Sequence, residues 1–523
     1  MRDNADMSQQ GVSQNIGQLL TKRAKRDPDV EAMFEPANGR RFSFDELNSR
    51  SNQVANALRA SGVSKGDRVG LLLMNGVEFV ESFFAAGKIG AVNVPLNWRL
   101  VADELEFILH DAGTSVLIFG ADFAELVAEL RSRGDKTAIT TWIQVGGDAT
   151  DGVADYDDWK GSASADEPES AGIGSDLVFI MYTSGTTGLP KGVMHSHDTV
   201  MWAILTGTAT TNFIPGDRYL NSLPLFHVGA LQPTLSCVFT GATIVMLKAF
   251  DPTLSWELIR DEKITITLMV PVMLQFMLLT RDAELHDASS LRWCMSGAAP
   301  VAKSLIEQYN ELGIEIHQVY GLTETCGPAC LISSADAISR AGSTGRAFFF
   351  TEVRVINEDG ADVGPDESGE VLVKGPHIMV GYWNRPEATA EALVDGWLHT
   401  GDVATMDAGG FVTIVDRVKD MLISGGENVY PAEIESVLLA HEKITDVGVI
   451  GVPSAKWGES PLAAIVAADD SLTAEEVIEF CKGKLAPFKA VRVVEFVTEL
   501  PRNPSGKILK RELRDQFSDI SID

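Results

Sequence analysis

Short apolar runs that alternate with helix-like stretches constrain the fold of this chain most strongly. The runs lie at residues 69–74, 115–119, 177–182, 243–247, 264–270 and 314–319. Runs of this length are typical of strands buried on both faces of a parallel sheet. The stretches 77–88 and 254–261 have helical periodicity, and the Gly-, Asp- and Ser-rich residues 146–175 are predicted to form a surface connection. The alternation predicts an α/β fold of helices layered on largely parallel sheets.

The pattern changes within residues 416–420. A chain of 523 residues is too long for one compact core, so more than one domain is expected. The elements predicted beyond this point are those of a small α+β domain: a helix at 431–441, strands at 447–452 and 462–468, and a helix opened by a capping box at 473–476. We therefore predict a large domain over residues 1–418 and a small one over 419–523.

The charge balance excludes some classes of partner. With 73 acidic and 43 basic residues, the formal net charge is −30, which disfavours nucleic acid as a general partner. No apolar run is long enough to cross a bilayer, and the polar N-terminus lacks the pattern of a secretory signal. Five scattered cysteines indicate reduced, buried thiols, and we expect a cytoplasmic protein. The basic residues 22–26 fit a solvated helix face, although a weak peripheral contact with lipid headgroups stays open.

One segment points directly to chemistry. The apolar run ending at Met181 is followed by Tyr182-Thr-Ser-Gly-Thr-Thr-Gly-Leu-Pro-Lys-Gly-Val193. Successive backbone N–H groups in a loop of Gly, Ser and Thr form a concave anion site, and the hydroxyls add donors. The spacing differs from that of a P-loop, in which Gly-Lys-Ser/Thr follows the first Gly after four residues. The segment therefore predicts a phosphate-binding loop of another kind.

Six further segments follow this loop. They are Ser296-Gly-Ala-Ala-Pro300, Tyr320-Gly-Leu-Thr-Glu-Thr325, Thr400-Gly-Asp402, Asp416-Arg-Val-Lys-Asp420, Ser424-Gly-Gly-Glu-Asn428 and Pro501-Arg-Asn-Pro-Ser-Gly-Lys507. In this order the seven segments resemble the signatures of the adenylate-forming enzymes, and most closely the branch of fatty-acyl-CoA synthetases and 4-coumarate-CoA ligases. The resemblance implies a mobile C-terminal domain and an enzyme that uses ATP, Mg²⁺ and coenzyme A.

The resemblance assigns a nucleotide site residue by residue. The residues that it implies for ATP and AMP binding are Thr183, Ser184, Gly185, Thr186, Thr187, Gly188, Lys191, Gly297, Ala298, Ala299, Gln318, Val319, Tyr320, Gly321, Thr323, Asp402 and Arg417. Within this set Tyr320 would stack on adenine, and Asp402 would accept both ribose hydroxyls. Glu324 and Thr186 would hold Mg²⁺, a cation that prefers oxygen ligands.

The resemblance also implies catalytic and mobile parts. Lys507 would stabilise charge during adenylate formation, and Lys419 would be the hinge between the domains. The hairpin would then admit coenzyme A; its residues are Ser424, Gly425, Gly426 and Glu427. His227 is expected to position the substrate, with a packed core histidine as the open alternative. The residues expected in the acyl pocket are Trp202, Phe226, Val228 and Met295.

These features predict a carboxylic acid–CoA ligase (AMP-forming) that acts on a hydrophobic acid, with a fatty acid as the first choice. An aromatic, cinnamate-type acid stays open, as does an acceptor other than coenzyme A. Residues 226–229 contain no acidic side chain, which argues against an amino-acid substrate. His195 and His197 are expected to be surface or capping residues and not metal ligands. Whether the protein is a homodimer is left open.

Overall fold

The computed structural model describes residues 15–183, 190–282, 284–299, 301–417, 420–424, 427–454, 456–482, 484–485, 489–502 and 508–522. In chain order the helices are α1 (Gly17–Arg26), α2 (Phe44–Ala60), α3 (Val77–Lys88), α4 (Ala102–Ala112), α5 (Ala124–Ser132), α6 (Tyr156–Gly161), α7 (His197–Thr211), α8 (Val228–Thr240), α9 (Pro252–Asp261), α10 (Pro271–Thr280), α11 (Lys303–Glu311), α12 (Pro386–Ala392), α13 (Pro431–Leu438), α14 (Ala474–Cys481) and α15 (Lys510–Gln516).

The strands are, in the same order, β1 (Glu31–Glu35), β2 (Arg40–Ser43), β3 (Arg68–Leu72), β4 (Val92–Pro95), β5 (Thr114–Gly120), β6 (Thr141–Val145), β7 (Ala154–Asp155), β8 (Leu177–Thr183), β9 (Lys191–Ser196), β10 (Arg218–Asn221), β11 (Thr243–Met246), β12 (Ile266–Met269), β13 (Trp293–Ser296), β14 (Ile316–Tyr320), β15 (Cys330–Leu331), β16 (Arg346–Ala347), β17 (Glu352–Ile356), β18 (Ser368–Lys374), β19 (Gly381–Tyr382), β20 (Leu393–Val394), β21 (Trp397–Met406), β22 (Val412–Arg417), β23 (Leu422–Ser424), β24 (Glu427–Val429), β25 (Ile444–Ser454), β26 (Gly458–Ala467) and β27 (Val493–Phe496).

Two large sheets form most of the N-terminal part. One has the order β19-β9-β8-β4-β3-β5-β6-β7, and the other has the order β16-β15-β14-β13-β12-β10-β11-β1-β2. Their central strands are parallel, whereas the β8–β9 and β14–β15 pairs are antiparallel. The predicted apolar runs at 69–74, 115–119, 177–182, 243–247, 264–270 and 314–319 contain or overlap β3, β5, β8, β11, β12 and β14. The α/β fold class expected from the sequence is therefore confirmed.

One contiguous apolar core connects these two sheets through their helices. It contains side chains from both sheets and from α2, α3, α7 and α8, including Val69, Phe83, Val200 and Tyr219. Local signals explain where several helices begin. Ser43 and Glu46 close a capping box at α2, and a proline occupies the first turn of α9, α10 and α13.

The C-terminal part has separate cores. A sheet of order β24-β23-β26-β25, with β27 beside β26, packs on α13, α14 and α15. The predicted helix at 431–441 is α13, and the strands predicted at 447–452 and 462–468 lie in the longer β25 and β26. Thr473 accepts a hydrogen bond from the Glu476 N–H at the start of α14, as the capping signal predicts. The small α+β C-terminal domain is confirmed. Across the described ranges, no helix combines the length and the apolar character needed to span a bilayer.

The segment 146–175 is more ordered than a simple surface connection. It contains β7 and α6, and both Tyr156 and Lys160 are buried. The Tyr156 hydroxyl and the Lys160 ammonium donate hydrogen bonds to the buried carboxylate of Glu81, at 2.7 and 2.9 Å. Composition alone does not predict this degree of order, because the few large side chains of the segment form hydrogen bonds with a residue far away in the sequence.

A second buried cluster fixes the following part of that segment. The Lys88 ammonium is fully buried and donates to Asn48 and Asn52 at 2.6 Å each, and to Glu167 at 3.1 Å. Burial lowers the pKa of Lys88 to about 8, although the Glu167 carboxylate opposes that shift. Lys88 ends α3, and Asn48 and Asn52 lie on α2. The hydrogen bonds of the Lys88 ammonium therefore tie Glu167 to both helices.

Replacing Lys88 tests this structural role. Lys88→Met removes the donor and leaves the facing oxygens without their partner, which costs about 3 kcal/mol and lowers Tm by several degrees. Lys65→Met is the matched control, since Lys65 pairs at 2.7 Å with Asp176, just after the same segment, but is 49% exposed. Its expected cost is below about 1 kcal/mol. Thermal unfolding that shows equal shifts in both variants contradicts the assignment.

Candidate active site

A cavity of about 2390 Å³ collects most of the residues that the sequence singles out. The predicted residues that line it are Thr183, Lys191, Phe226, His227, Val228, Met295, Gly297, Ala298, Ala299, Gln318, Val319, Tyr320, Gly321, Thr323, Glu324 and Asp402. They come from the ends of β8, β9, β13 and β14 and the turns that follow the last two, from the middle of β21 and from the start of α8. Residues more than 200 positions apart in the sequence thus face one space.

The neighbouring ends of β13 and β14 form a narrow slot in this cavity. The strands are parallel, with Ser296 opposite Gln318. A Cβ atom at Gly297 would lie 2.2 Å from the Val319 carbonyl oxygen, so only glycine fits there. Within the described residues, the buried Ser296 Oγ and Gln318 Nε2 have no hydrogen-bond partner. Unpaired buried polar atoms beside a glycine backbone suit a flat ligand with polar edges, such as the adenine implied by the resemblance.

Tyr320 and Asp402 form the next part of the wall. The Tyr320 hydroxyl donates to Asp402 Oδ2 at 2.6 Å, and the Asp402 N–H donates to Thr400 Oγ1 at 3.1 Å. Burial, together with the Asp402 charge, raises the pKa of Tyr320 well above its usual value, so it stays a neutral donor. Arg417 lies opposite Asp402 in the β21–β22 ladder, although its side chain is outside the described part. Asp402 is thus held at the cavity with a carboxylate suited to a vicinal diol.

Glu324 lies on a tight turn after β14. The turn contains the 3-10 segment Thr323–Thr325. The chain on either side of this segment approaches closely, since a Cβ at Gly321 would lie 1.4 Å from the Gly327 carbonyl oxygen. The Tyr382 hydroxyl donates to Glu324 Oε1 at 2.8 Å. Lys191 Nζ lies 5.1 Å from the centroid of the Tyr382 ring. A cation, a phenol and a carboxylate therefore follow one another along this wall.

This arrangement fits Mg²⁺ held between protein and phosphates. Mg²⁺ usually takes one or two protein carboxylates and keeps several waters or phosphate oxygens. Glu324 supplies one such carboxylate in the cavity, and Thr186 lies outside the described residues. In the part of the chain that the structure covers, no group of three or more His, Cys, Asp or Glu side chains could hold a metal ion by itself. A cation here would depend on ligand oxygens.

The two histidines that follow the predicted phosphate loop are buried, contrary to the expectation of surface residues. His195 Nε2 lies 2.8 Å from the Thr323 carbonyl oxygen, and His197 Nδ1 accepts a hydrogen bond from the Ile16 N–H at 3.0 Å. Burial lowers the pKa of each to about 4, so both are neutral at neutral pH. The sequence misses this because the short β9 strand and the start of α7 are covered by elements distant in the chain.

His227 is the N-cap of α8, at the border between the polar and apolar walls. Its Nε2 is buried and makes no hydrogen bond to a described residue. Burial, with a contribution from the Arg99 charge, lowers the pKa of His227 to about 4. Its ring centroid lies 4.5 Å from that of Phe226. A neutral imidazole in this place can donate one hydrogen bond to a ligand or accept one from it, depending on its tautomer.

The apolar wall adds residues that the sequence does not single out. Beside Phe226, Val228 and Met295, the cavity is lined by Leu223, Leu268, Val270, Val272, Met273, Phe276 and Phe348. Trp202, which the sequence places in the acyl pocket, is not among the lining residues. Its indole meets the Phe350 ring edge-to-face, with centroids 5.4 Å apart. The aromatic character of Trp202 carries no information about which side of α7 it occupies.

The C-terminal part borders the same cavity. Ser424 pairs with Glu427 across the β23–β24 hairpin, and Ser424 is buried. Lys510 donates to Glu435 at 3.0 Å and lies 3.9 Å from Asp416. The remaining predicted residues lie outside the described residues: Ser184, Gly185, Thr186, Thr187, Gly188, Lys419, Gly425, Gly426 and Lys507.

Two family models together match most of the chain. The model described as AMP-binding enzyme matches residues 20–383, and that of the AMP-binding enzyme C-terminal domain matches residues 433–507. The chain is 43% identical to a long-chain-fatty-acid–CoA ligase, FadD13, of Mycobacterium tuberculosis, over 96% of this chain and 99% of the relative. It is 40% identical to a feruloyl-CoA synthase of an Amycolatopsis species, over 97% of this chain and 99% of the relative.

Among solved structures, the chain is similar to the o-succinylbenzoate CoA synthetase of Bacillus subtilis in complex with its acyl-adenylate intermediate. The TM-score is 0.86 at 32% identity, and the match covers 95% of this chain and 98% of the other. The fold is thus shared with a CoA synthetase, and the chain is similar over nearly its whole length to relatives named as a CoA ligase and a CoA synthase.

The slot at Gly297 generates a direct test. In Gly297→Ala the added methyl group meets backbone that cannot move aside without separating β13 from β14, and we expect ATP affinity to fall by about ten-fold or more. Gly120→Ala is the control, because its Cβ has ordinary contacts at 3.7 Å with Phe123. Calorimetric titration with ATP measures the difference. Unchanged ATP affinity in Gly297→Ala would place the nucleotide elsewhere.

Proposed function

Because this chain belongs to the family of AMP-binding enzymes, we propose that it is an ATP-dependent, AMP-forming ligase that joins a fatty acid to coenzyme A. The observation that carries the proposal is one cavity in which carboxylates suited to ribose and Mg²⁺ face a wall of apolar side chains. An apolar wall suits a hydrophobic acid, and the polar end suits ATP. The aromatic alternative is kept because a feruloyl-CoA synthase is among the relatives.

In the first half-reaction, a carboxylate oxygen of the acid attacks the α-phosphorus of ATP. The new O–P bond forms as the bond to pyrophosphate breaks, and the products are an acyl-adenylate and pyrophosphate. The loop at residues 183–188 and Lys191 would bind the phosphates, and Mg²⁺ held by Glu324 would neutralise their charge. Asp402 and Arg417 would hold the ribose, and Tyr320 would stack on adenine beside Gly297. The roles of Lys191, Glu324, Asp402, Tyr320 and Gly297 are supported by their placement around one cavity. Those of residues 184–188 and Arg417 rest on the resemblance of their motifs.

In the second half-reaction, the thiol of coenzyme A attacks the acyl carbonyl. The new C–S bond forms, the bond to the AMP oxygen breaks, and the thiol proton is released. The acid's carboxyl group would lie beside His227, which has a buried nitrogen available and is neutral at neutral pH. Because an acyl-adenylate is readily hydrolysed, the apolar wall would also keep water from the carbonyl.

We further propose that two domain arrangements serve these two steps, with residues 1–418 and 419–523 as the moving bodies and Lys419 as the hinge. Lys507 would stabilise the first transition state, and the hairpin of Ser424, Gly425, Gly426 and Glu427 would then replace it to admit coenzyme A. The separate apolar cores of the C-terminal part support this proposal. The family matches support it too, because one ends at residue 383, the other begins at residue 433, and the proposed hinge lies between them.

The fatty acid is favoured by α10. This helix contributes Val272, Met273 and Phe276 to the cavity, and its side chains are apolar almost all round. A flexible Met side chain adapts to an aliphatic chain and Val and Phe add apolar surface, whereas the recognition of a hydroxylated ring calls for polar partners.

Lys507→Ala separates the half-reactions. Acyl-adenylate formation should fall by about 10²-fold or more, because the lysine acts on charge that develops in that step only. Thioester formation from supplied acyl-adenylate and coenzyme A should stay near the wild-type rate. Lys482→Ala is the control, since that side chain is 64% exposed and pairs with Glu479. An equal loss in both half-reactions of Lys507→Ala would contradict the proposed division of labour.

The acid class is tested by AMP release over a panel from hexanoate to stearate, with ferulate and cinnamate beside them. We expect the highest kcat/KM for a fatty acid. Met273→Trp fills the cavity wall and should shift the preference towards shorter chains, because a bulky indole removes space for the distal methylenes. Leu279→Trp on the same helix is the control, since Leu279 is 80% exposed. A preference for ferulate would overturn the fatty-acid assignment but leave the ligase chemistry intact.

A further inference from the structure

We infer that Tyr382 is a positioning residue for the carboxylate of Glu324, an inference that rests on the proposed function because it assigns Glu324 to Mg²⁺. The Tyr382 hydroxyl donates to Glu324 Oε1 at 2.8 Å. This bond fixes one oxygen of the carboxylate and leaves the other to a cation. No sequence motif used above includes Tyr382, which lies 58 residues beyond Glu324.

The phenol itself is rigidly placed. Tyr382 lies on β19, where it pairs with Val193 of β9. Its N–H donates to Thr389 Oγ1 at 2.9 Å, and the N–H of Trp383 donates to the Gly192 carbonyl at 2.7 Å. The strand that returns from the predicted phosphate loop therefore also sets the position of the Tyr382 hydroxyl.

The same pair of strands also holds the backbone on either side of the carboxylate. The Met379 N–H, just before β19, donates to the Glu324 carbonyl at 2.8 Å. His195 on β9 hydrogen-bonds through Nε2 to the Thr323 carbonyl at 2.8 Å. Three hydrogen bonds thus join β9 and the segment around β19 to one short turn, so the Glu324 carboxylate is set relative to β9 and not only to its own turn.

A neutral donor is the appropriate partner for a carboxylate that binds a cation. An Arg or Lys in the position of the phenol would form an ion pair and compete with Mg²⁺, whereas a hydroxyl orients the carboxylate and leaves its negative charge. The Lys191 ammonium lies over the face of the Tyr382 ring, 5.1 Å from its centroid. The ring thus meets this ammonium through its face, while its hydroxyl binds the carboxylate.

The test compares ATP binding with and without Mg²⁺ in the full-length enzyme. Tyr382→Phe keeps the ring and removes the hydroxyl. We expect ATP affinity measured by calorimetry in excess Mg²⁺ to fall by about ten-fold, the usual effect of losing a hydrogen bond to a charged group, while affinity in EDTA is unchanged. The Mg²⁺ concentration that half-saturates adenylate formation should rise by a similar factor, with kcat restored at saturating Mg²⁺.

Two further variants complete the design. Tyr156→Phe is the matched control, because it removes a 2.7 Å hydrogen bond from a tyrosine to the buried Glu81 carboxylate outside the cavity. It should change Tm but not the Mg²⁺ dependence. In a Glu324→Ala background, Tyr382→Phe should add no further loss of Mg²⁺-dependent affinity, because the phenol then has no carboxylate to orient.

Equal losses of ATP affinity with and without Mg²⁺ in Tyr382→Phe, or no loss at all, would overturn the positioning role. An additive loss in the Glu324→Ala background would do the same. Failure of the proposed function gives a different result, since the wild-type enzyme itself would then form no acyl-adenylate from any acid in the panel.

Discussion

The parallel pairing of β13 with β14 is the constraint on which the rest of the site depends. With Ser296 opposite Gln318, both strands end at the same edge, and the next residues turn into the cavity. The approach is so close that a single methyl group at Gly297 would meet the backbone of Val319. Carboxyl ends of neighbouring parallel strands are where α/β sheets bind ligands, because loops diverge there and leave a crevice.

Two phenols hydrogen-bond to the two acids that we propose for ribose and Mg²⁺. Tyr320 donates to Asp402, and Tyr382 donates to Glu324, each across a long sequence separation. In both pairs a neutral donor orients a carboxylate without cancelling its charge. The positions of the two acids therefore depend on the sheets that carry the phenols.

Burial also controls the charge of three histidines. His195, His197 and His227 are neutral at neutral pH because burial disfavours the charged imidazole. His195 and His197 hydrogen-bond to backbone groups, whereas His227 keeps a buried nitrogen without a described partner and faces the apolar wall. His227 thus adds polarity to the cavity without adding positive charge, whereas His195 and His197 do not line it.

The sequence by itself determined the fold class, the family and the order of the binding segments. Alternating apolar runs specify layered sheets, and glycines, hydroxyls and single charged residues mark places where backbone approaches a ligand. Only the tertiary structure decided which side chains meet. Tyr382 and the apolar side of α10 face the cavity, and Trp202 does not, because the packing of whole elements sets the direction of a side chain. Periodicity indicates that a residue is buried, but the residues that cover it belong to strands and helices elsewhere in the chain.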